Sequence, residues 1–379
     1  MTSKKKILVF CDWYRPAFRA GGPVQSIVHL VERYCNEYDF FVFTSSIDLG
    51  GVRVVESSEC GIWLERYGCR IQYNASGRLS MGVVRSIIQE VNPDWIYLNS
   101  MFSNMFFPLM ADYKSGKVIL APRGMLRPSA MAYKFVRKRG YLFFLRLLGI
   151  DQCIRFHATS EEEVNWIRSI FPKAHSIHIA PNISFPLPLE LPKVEKEVGY
   201  LRIAIVGRMQ SIKNIHKALE YIQQVEGQIA IDVFATPDDP QYRRQVLVWM
   251  SSLAARSIQV KVHEECRPEQ VHEHLMQSHL FVLPTKGESF CHAIMESLSC
   301  GCPVLISDQT PWRNLSQDHA GLDLPLNNDV AWVNALRAFV RMDNDQWQQY
   351  RLGARKRAER YVKTSDLDVN YQSLFENMG

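Results

Sequence analysis

Two glutamates separated by seven residues suggest chemistry in the C-terminal half of the chain. Glu288 lies in the run Gly287-Glu288-Ser289-Phe290, and Glu296 follows about two helical turns later. Ser289 is a predicted N-cap for a helix beginning at Phe290, and the free N–H groups at such a helix end suit a phosphate. Carboxylates are better acceptors for sugar hydroxyls, so the pair predicts one contact to a transferred sugar and one to a ribose. The alternative is an amphipathic helix with two incidental acids.

Two cations form a second candidate site upstream of the glutamates. Arg208 and Lys213 stand five positions apart, after a predicted strand over residues 200–206 and before a predicted helix. A planar guanidinium and an ammonium in one strand-to-helix loop can converge on a single anion, and a diphosphate fits both groups. The alternative is a surface loop with two solvated cations. Because these cations and a helix N-terminus can neutralise a diphosphate, no metal ion is expected.

Short apolar, β-rich runs alternate with amphipathic helical segments along both halves of the chain. The alternation predicts βαβ units and parallel sheets. It is interrupted by residues 184–199, where three prolines and five charges in sixteen residues indicate a linker. The sequence therefore predicts two α/β domains, residues 1–183 and 200–345, and C-terminal helices over 346–379 that pack back toward the N-terminal domain. Ligands are expected in the cleft between the domains, at the carboxyl ends of the strands.

The composition is that of a large globular protein: 379 residues, 47% hydrophobic and 22% charged. No apolar run is long enough for a transmembrane helix, and the first apolar stretch is interpreted as a strand rather than a signal peptide. The nine cysteines form no CxxC pair, so we expect reduced thiols in a cytosolic protein and no zinc site. Residues 1–183 hold 23 Lys and Arg against 15 Asp and Glu, whereas residues 184–379 hold 21 against 24. This asymmetry predicts an anionic partner for the first half.

The motifs together resemble the signature of the retaining family 4 glycosyltransferases. The resemblance rests on the spaced glutamates with Gly-Cys-Pro-Val behind them, and on the Gly-Arg…Lys pair that contains Arg208 and Lys213. It implies a GT-B fold of class α/β, with two Rossmann-like domains facing across a cleft and the donor nucleotide in the C-terminal domain. Further segments resemble members that assemble bacterial surface polysaccharides such as O-antigen and capsule, namely residues 121–126, 157–162, 180–182 and 307–313.

The resemblance also implies a reaction and assigns residues to it. The reaction is metal-independent transfer of a hexose, with retention, from a nucleoside diphosphate sugar to a hydroxyl of a lipid-linked saccharide. A UDP-sugar is the first choice of donor and GDP-mannose the second, with no cofactor beyond this co-substrate. Glu288, Arg208 and Lys213 are the implied catalytic residues, and no dedicated base is identified. The implied donor-binding residues are Gly21, Gly22, Arg208, Lys213, Glu288, Ser289, Phe290 and Glu296.

Two positions depart from the family pattern. Many members carry a histidine after the strand that corresponds to residues 95–98, whereas this chain continues with Asn99 and Ser100. In those members the histidine lies near the donor sugar, and Asn99 or Ser100 is expected to supply a hydrogen bond in its place. Asn99 is also a candidate residue on the acceptor or membrane side. The usual glycine after Phe290 is Cys291 here, which is expected to narrow the pocket at that point.

Basic residues are interleaved with aromatic and apolar ones between positions 123 and 155. Eight Lys and Arg oppose a single acid there, and Arg123, Arg137, Lys138 and Arg139 are the candidate contacts to an acceptor or a membrane. Such a segment suits an anionic membrane surface, and similar enzymes turn this region toward a lipid diphosphate acceptor. The alternative is a core-packing helix with a solvated basic face. A nucleic-acid partner is not expected, because the net charge is modest and no recognised nucleic-acid module occurs.

Two other functions remain open on the sequence alone. One is a sugar-nucleotide epimerase or phosphorylase on the same fold, and the other is a non-catalytic scaffold of a membrane-associated polysaccharide assembly. A nicotinamide dehydrogenase is disfavoured, because Gly21-Gly22-Pro23 lacks the spacing of a dinucleotide fingerprint and is equally consistent with a tight turn. The implied location is the cytoplasm, at the inner face of the cytoplasmic membrane.

Overall fold

A computed structural model describes residues 4–76, 79–102, 104–132, 134–254 and 258–376. The chain divides into two compact units, one formed by Met1–Ile183 with Ser365–Gly379 and the other by Ser184–Thr364. The segment 184–199, predicted as a linker, is grouped with the second unit. The predicted C-terminal helical region is shared, because its long helix belongs to the second unit and its last helix to the first.

The first unit is built on an eight-stranded sheet. Its strands are β1 (Lys6–Phe10), β2 (Asp39–Ser45), β3 (Trp63–Arg66), β4 (Cys69–Asn74), β5 (Trp95–Asn99), β6 (Val118–Ala121), β7 (Arg155–Ala158) and β8 (Ser176–Ile179). They lie in the order β3-β4-β2-β1-β5-β6-β7-β8. The helices are α1 (Gly22–Tyr34), α2 (Met81–Val91), α3 (Phe106–Asp112), α4 (Pro128–Ala132), α5 (Phe135–Leu147) and α6 (Glu161–Ile170).

The second unit is built on a six-stranded sheet. Its strands are β9 (Tyr200–Val206), β10 (Gln228–Phe234), β11 (Gln259–His263), β12 (Leu280–Leu283), β13 (Val304–Ser307) and β14 (Gly321–Leu324), in the order β11-β10-β9-β12-β13-β14. The helices are α7 (Ile215–Ile222), α8 (Pro240–Ala254), α9 (Pro268–Gln277), α10 (His292–Ser299), α11 (Asp329–Arg341) and α12 (Asn344–Thr364). The last helix, α13 (Leu367–Phe375), returns to the first unit.

Parallel pairing dominates both sheets, which confirms the predicted α/β class. All neighbouring strands are parallel except β3 and β4. Residues 7 to 10 of strand β1 are all completely buried, which explains why this part of the sequence is continuously apolar. A parallel strand with layers on both faces buries successive side chains, so its sequence does not alternate.

The antiparallel pair of β3 and β4 is a hairpin that the sequence analysis did not predict. Its turn consists of Tyr67 and Gly68, which have φ of 54° and 75°. Two positive φ values in a two-residue loop are typical of a type I′ turn, whose twist matches that of the flanking strands. Tyr-Gly is a weaker sequence signal for this turn than Asn-Gly, so the hairpin was missed.

Side-chain contacts fix α13 against the first unit. The Asp368 carboxylate accepts from the Arg33 guanidinium at 2.9 Å, and the rings of Tyr371 and Tyr34 lie 5.3 Å apart. The backbone oxygen of Phe375 accepts from the indole N–H of Trp95 at 2.8 Å. The last helix therefore contributes both polar and aromatic contacts to the core of the first unit.

Candidate active site

Loops that follow neighbouring strands meet at the carboxyl edge of the second sheet. They follow β9, β12 and β13, and main-chain hydrogen bonds join them. The N–H of Lys286 donates to the carbonyl of Ile212 at 2.8 Å, and the N–H of Glu288 donates to the carbonyl of Gln309 at 2.9 Å. These bonds hold the predicted cation loop and the predicted glutamate loop side by side.

Lys213 and Glu288 form an ion pair at this edge. Nζ of Lys213 lies 2.7 Å from Oε1 of Glu288, and the two side chains are only 16% and 13% exposed. The Thr285 hydroxyl lies 3.0 Å from the same carboxylate oxygen. Burial opposes protonation of Lys213, but the Glu288 carboxylate outweighs it, so the pKa of Lys213 lies above its ordinary value. The structure thus joins a predicted phosphate-binding cation to a predicted sugar-binding carboxylate.

Arg208 is held by a different carboxylate. One guanidinium nitrogen lies 3.0 Å from Oδ2 of Asp238, which also accepts from the Gln210 amide. The positive charge of Arg208 lowers the pKa of Lys213 and so partly offsets the effect of Glu288. The two cations therefore interact electrostatically. Neither Asp238 nor Thr285 was predicted from the sequence. A signal for Asp238 was available, because it follows β10, the strand beside β9.

The helix after Glu288 begins later than predicted. Helix α10 starts at His292, and its N-cap is Cys291, with φ of 67° and ψ of 86°. The prediction that Ser289 caps a helix from Phe290 is therefore wrong, because the chain turns into the helix only through the left-handed residue 291. Glycine adopts this conformation without strain, whereas for any other residue the strain energy is about 1–2 kcal/mol.

Glu296 lies on α10 with its side chain 12% exposed, and its Oε2 is 3.7 Å from Nε2 of His272. The buried thiol of Cys291 is influenced by both glutamates. Burial, then Glu288, and to a smaller extent Glu296 raise the pKa of Cys291 to about 12. The structure therefore brings Glu288, Cys291 and Glu296 into one electrostatic neighbourhood, with Lys213 as its cation.

Phe290 serves as a support for this loop. Its ring lies 5.4 Å from that of Trp312 and 5.5 Å from that of Tyr361, and it is buried. The Trp312 indole N–H donates to the backbone oxygen of Phe290 at 2.6 Å. Phe290 was predicted to contact the nucleotide sugar donor. The structure shows in addition that its ring packs against Trp312 and Tyr361 before the start of α10.

In the first unit, Gly21 and Gly22 form the turn into α1. Gly21 has φ of 65° and ψ of −122°, a backbone conformation that favours glycine. The Asn99 amide donates to the carbonyl of Pro23 at 3.1 Å, which ties this turn to the end of β5. The residue that replaces the expected histidine therefore donates to the first turn of α1, directly after Gly21 and Gly22.

Arg123 is the centre of a polar network in the same unit. Its guanidinium donates to Oδ1 of Asn99 at 2.9 Å, to the Tyr97 hydroxyl at 2.7 Å and to Oδ1 of Asn182 at 2.9 Å. Arg123 was predicted to face an acceptor or a membrane, but these three bonds are made within the first unit. They make Arg123 a support for Asn99 and, through it, for the glycine turn.

The Arg123 network includes a neutral histidine. Nε2 of His157 lies 2.8 Å from the carbonyl of Ala180, which can only accept, so Nε2 carries the proton. Nδ1 then accepts from the Tyr97 hydroxyl at 2.7 Å. Burial, reinforced by the Arg123 charge, lowers the pKa of His157 to about 3. The network therefore holds one positive charge, on Arg123, at neutral pH.

Helix α5 carries the other predicted acceptor-side or membrane-side residues. Arg137 and Arg139 are exposed, whereas Lys138 is half-buried. Nζ of Lys138 donates to the carbonyl of Ala130 at 2.6 Å and lies 4.8 Å from the ring centre of Phe102. Burial, and then the nearby Lys134, lower the pKa of Lys138. None of the helices in the described part of the chain has the length and apolar character needed to cross a membrane.

Among the described residues, the only cluster with metal-ligand geometry consists of Asp232, His263 and His274. Nε2 of His263 lies 2.9 Å from Oδ1 of Asp232, and the Arg202 guanidinium donates to Oδ2 of the same carboxylate at 3.3 Å. Because Arg202 already places a positive charge against Asp232, the cluster is a polar network with its own cation. It shares no residue with the loops around Lys213 and Glu288.

Two Rossmann-like units with parallel sheets define the GT-B fold, and this chain has that fold. Residues 189–358 match the family described as Glycosyl transferases group 1. The matched segment contains Arg208, Lys213, Glu288 and Glu296. A comparison with curated proteins gave no match.

Solved structures share the fold over nearly the whole chain. Sucrose-phosphate synthase from Thermosynechococcus elongatus is 16% identical with a TM-score of 0.73, and the match covers 98% of this chain and 99% of that one. HepE of Anabaena, solved with UDP-glucose, is 14% identical with a TM-score of 0.73 and the same coverage. WaaG, a glycosyltransferase involved in lipopolysaccharide biosynthesis, is 13% identical with a TM-score of 0.68, covering 97% and 98%. At these identities the likeness establishes the fold.

Proposed function

We propose that this protein is a retaining family 4 glycosyltransferase that moves a hexose from a nucleoside diphosphate sugar to a hydroxyl. The observation that carries the proposal is the Lys213–Glu288 pair at the carboxyl edge of the second sheet, with the Arg208 charge nearby. The match of residues 189–358 to group 1 glycosyl transferases supports this class of reaction. The UDP-glucose complex of HepE supports a UDP-sugar as first choice of donor, with GDP-mannose second.

In the proposed reaction, the bond between the anomeric carbon and the diphosphate oxygen breaks while the acceptor oxygen attacks from the same face. The acceptor proton passes to the departing diphosphate oxygen, so the step balances without a protein base. Lys213 and Arg208 neutralise the negative charge that develops on the leaving group. Because both cations are supplied by the protein, the transfer is proposed to need no metal ion.

Glu288 and Glu296 are proposed to bind donor hydroxyls. As the diphosphate engages Lys213, Glu288 exchanges part of its contact with that ammonium for a hydroxyl of the sugar ring. Glu296 accepts from the ribose hydroxyls. Ser289 and the buried Phe290 belong to the same loop, and the ring contacts of Phe290 fix where that loop enters α10.

A thermal-shift titration with UDP, GDP, ADP, CMP and NAD tests the donor site. A ligand that binds only the folded state raises Tm, so we expect a selective rise with UDP or with GDP. Glu296→Ala should weaken that rise. Glu220→Ala, which removes a half-buried partner of Lys217, should leave it unchanged. If no nucleoside diphosphate shifts Tm, the donor site is refuted. If free nucleoside diphosphate is released equally with and without an acceptor, a different reaction on this fold is indicated.

We further propose that the acceptor is a lipid-linked saccharide in the biosynthesis of a bacterial surface polysaccharide, such as O-antigen or capsule. The shared fold with WaaG, which is involved in lipopolysaccharide biosynthesis, supports this role. The proposed location is the cytoplasm, in peripheral contact with the inner face of the cytoplasmic membrane and without a nucleic-acid partner.

The membrane contact is assigned to one face of α5. Val136, Phe143 and Leu147 are spaced so that they share a helix face, and they are 79%, 66% and 73% exposed. Arg139 and Arg146, both exposed, lie beside them. Large apolar side chains flanked by cations suit the interface of an anionic bilayer.

Removing the apolar side chains of this face should weaken vesicle binding. The double variant Phe143→Ser, Leu147→Ser is expected to lose at least about ten-fold in affinity, because burying one such side chain is worth about 2 kcal/mol. Cosedimentation with phosphatidylglycerol-containing vesicles measures this, with pure phosphatidylcholine as the uncharged comparison. Val248→Ser is the matched control, because Val248 is 69% exposed on α8 of the other unit. Equal binding by the wild type and the double variant, or no binding by the wild type, would contradict the assignment.

A further inference from the structure

His272 is a buried imidazole without a hydrogen bond. It lies on α9 and is 5% exposed, and neither Nδ1 nor Nε2 has a hydrogen-bond partner among the described residues. Native proteins satisfy nearly all of their buried polar groups, so an unsatisfied one calls for an explanation. Glu296, on helix α10 of the proposed donor site, lies beside this imidazole.

The carboxylate of Glu296 faces this imidazole. The distance from Nε2 to Oε2 is 3.7 Å, and the two side chains are 7% and 12% exposed. This separation is too long for a hydrogen bond, but a shift of about 1 Å would create one. The shielded position would make that bond stronger than it would be in water.

A close, tilted ring contact restricts the orientation of the imidazole. The ring centre of Phe185 lies 3.8 Å from that of His272, with an interplanar angle of 41°. The histidine is therefore held from one side, and Nε2 stays directed near the Glu296 carboxylate. An alanine or phenylalanine at this position would leave the carboxylate without this donor.

We propose that His272 is a positioning residue for Glu296. Its Nε2–H donates to one carboxylate oxygen and turns the other oxygen toward the ribose hydroxyls of the donor nucleotide. The inference rests on the proposed function, because Glu296 contacts a ribose only in that reaction. Fixing the carboxylate in advance reduces the orientational freedom that it loses on binding. His272 thus sets selectivity for ribose without touching the donor.

His272→Phe and His272→Gln test the proposal by kinetics. Phenylalanine keeps a ring against Phe185 and removes both nitrogens, so we expect KM for the donor to rise about ten-fold with kcat within about two-fold. Glutamine restores an N–H donor and should recover most of that loss. His274→Phe, on the same helix, should leave KM unchanged, because His274 faces the Asp232 cluster.

Affinity for a deoxy nucleotide separates positioning from packing. Calorimetry should show the wild type binding UDP about ten-fold more tightly than 2′-deoxy-UDP, and His272→Phe should bring this ratio close to one. GDP and 2′-deoxy-GDP replace this pair if GDP is the nucleotide that stabilises the wild type. Adding His272→Phe to Glu296→Gln should cause no further loss, because both changes remove the same contact.

The outcomes distinguish this inference from the function on which it rests. If the wild type binds neither UDP nor GDP, the proposed function fails and the role of His272 fails with it. If the wild type binds and prefers the ribonucleotide but folded His272→Phe does so equally, only the role of His272 is overturned. Additive losses in the double variant, or no recovery with glutamine, would likewise overturn it.

Discussion

Lys213→Ala is expected to lower kcat by about 10²- to 10³-fold, which is the usual effect of removing one electrostatic contact to a developing oxyanion. Lys213 is 16% exposed, and exclusion from water strengthens its attraction to a leaving diphosphate. Arg208 is 31% exposed, so Arg208→Ala should cost less, about ten- to 100-fold in kcat. Release of nucleoside diphosphate at saturating donor and acceptor measures both effects.

Loss of Lys213 also leaves the Glu288 carboxylate without its cation, so rate must be separated from stability. The double variant Lys213→Ala, Glu288→Gln removes the uncompensated charge and should regain Tm without regaining kcat. Lys217→Ala is the matched control, because this lysine on α7 has two carboxylate partners, Glu220 at 3.0 Å and Asp329 at 3.2 Å. A folded Lys213→Ala enzyme with kcat close to that of the wild type would refute the role of Lys213 at the leaving group.

The sequence predicts the placement of these loops because the strands that they follow are parallel and buried on both faces. Continuous apolar runs then coincide with strands, and the predicted strand over residues 200–206 has the observed bounds of β9. Arg208 follows β9 and Glu288 follows β12, so both belong to the same sheet edge once the strands are known to be parallel. The position of these two loops at one sheet edge is therefore predictable from the pattern of hydrophobic residues.

The details that the sequence did not predict depend on backbone angles and on partners distant in the chain. Ser289 has the side chain of an N-cap, but the positive φ of Cys291 decides where α10 begins. Asp238 meets Arg208 across 30 positions of sequence, and no local pattern shows that the two are paired. Arg123 sits in a basic segment, yet its own positive φ and its three hydrogen bonds direct it into the first unit.

Glu288→Gln is expected to slow transfer and to tighten nucleotide binding. The Glu288 carboxylate holds Nζ of Lys213 at 2.7 Å, so it competes with an incoming diphosphate for that ammonium and repels the phosphate charge. Removing the charge without changing the shape relieves both effects, and the affinity for UDP should rise about three- to ten-fold. The neutral amide is a weaker acceptor for the sugar hydroxyl, so kcat should fall by about 100-fold.

The opposite signs of these two effects make the prediction specific. A general loosening of the loop would weaken both UDP binding and sugar transfer. Loss of the Glu288 charge instead strengthens UDP binding, because the carboxylate repels phosphate, and slows transfer, because it orients the sugar. Calorimetry with UDP and initial rates of transfer measure the two quantities on the same preparation. Glu220→Gln is the matched control, because it neutralises a half-buried glutamate that pairs with Lys217 outside the proposed donor site, and neither quantity should change. Weaker UDP binding with kcat unchanged would mean that Glu288 serves only to hold Lys213 in place for the nucleotide.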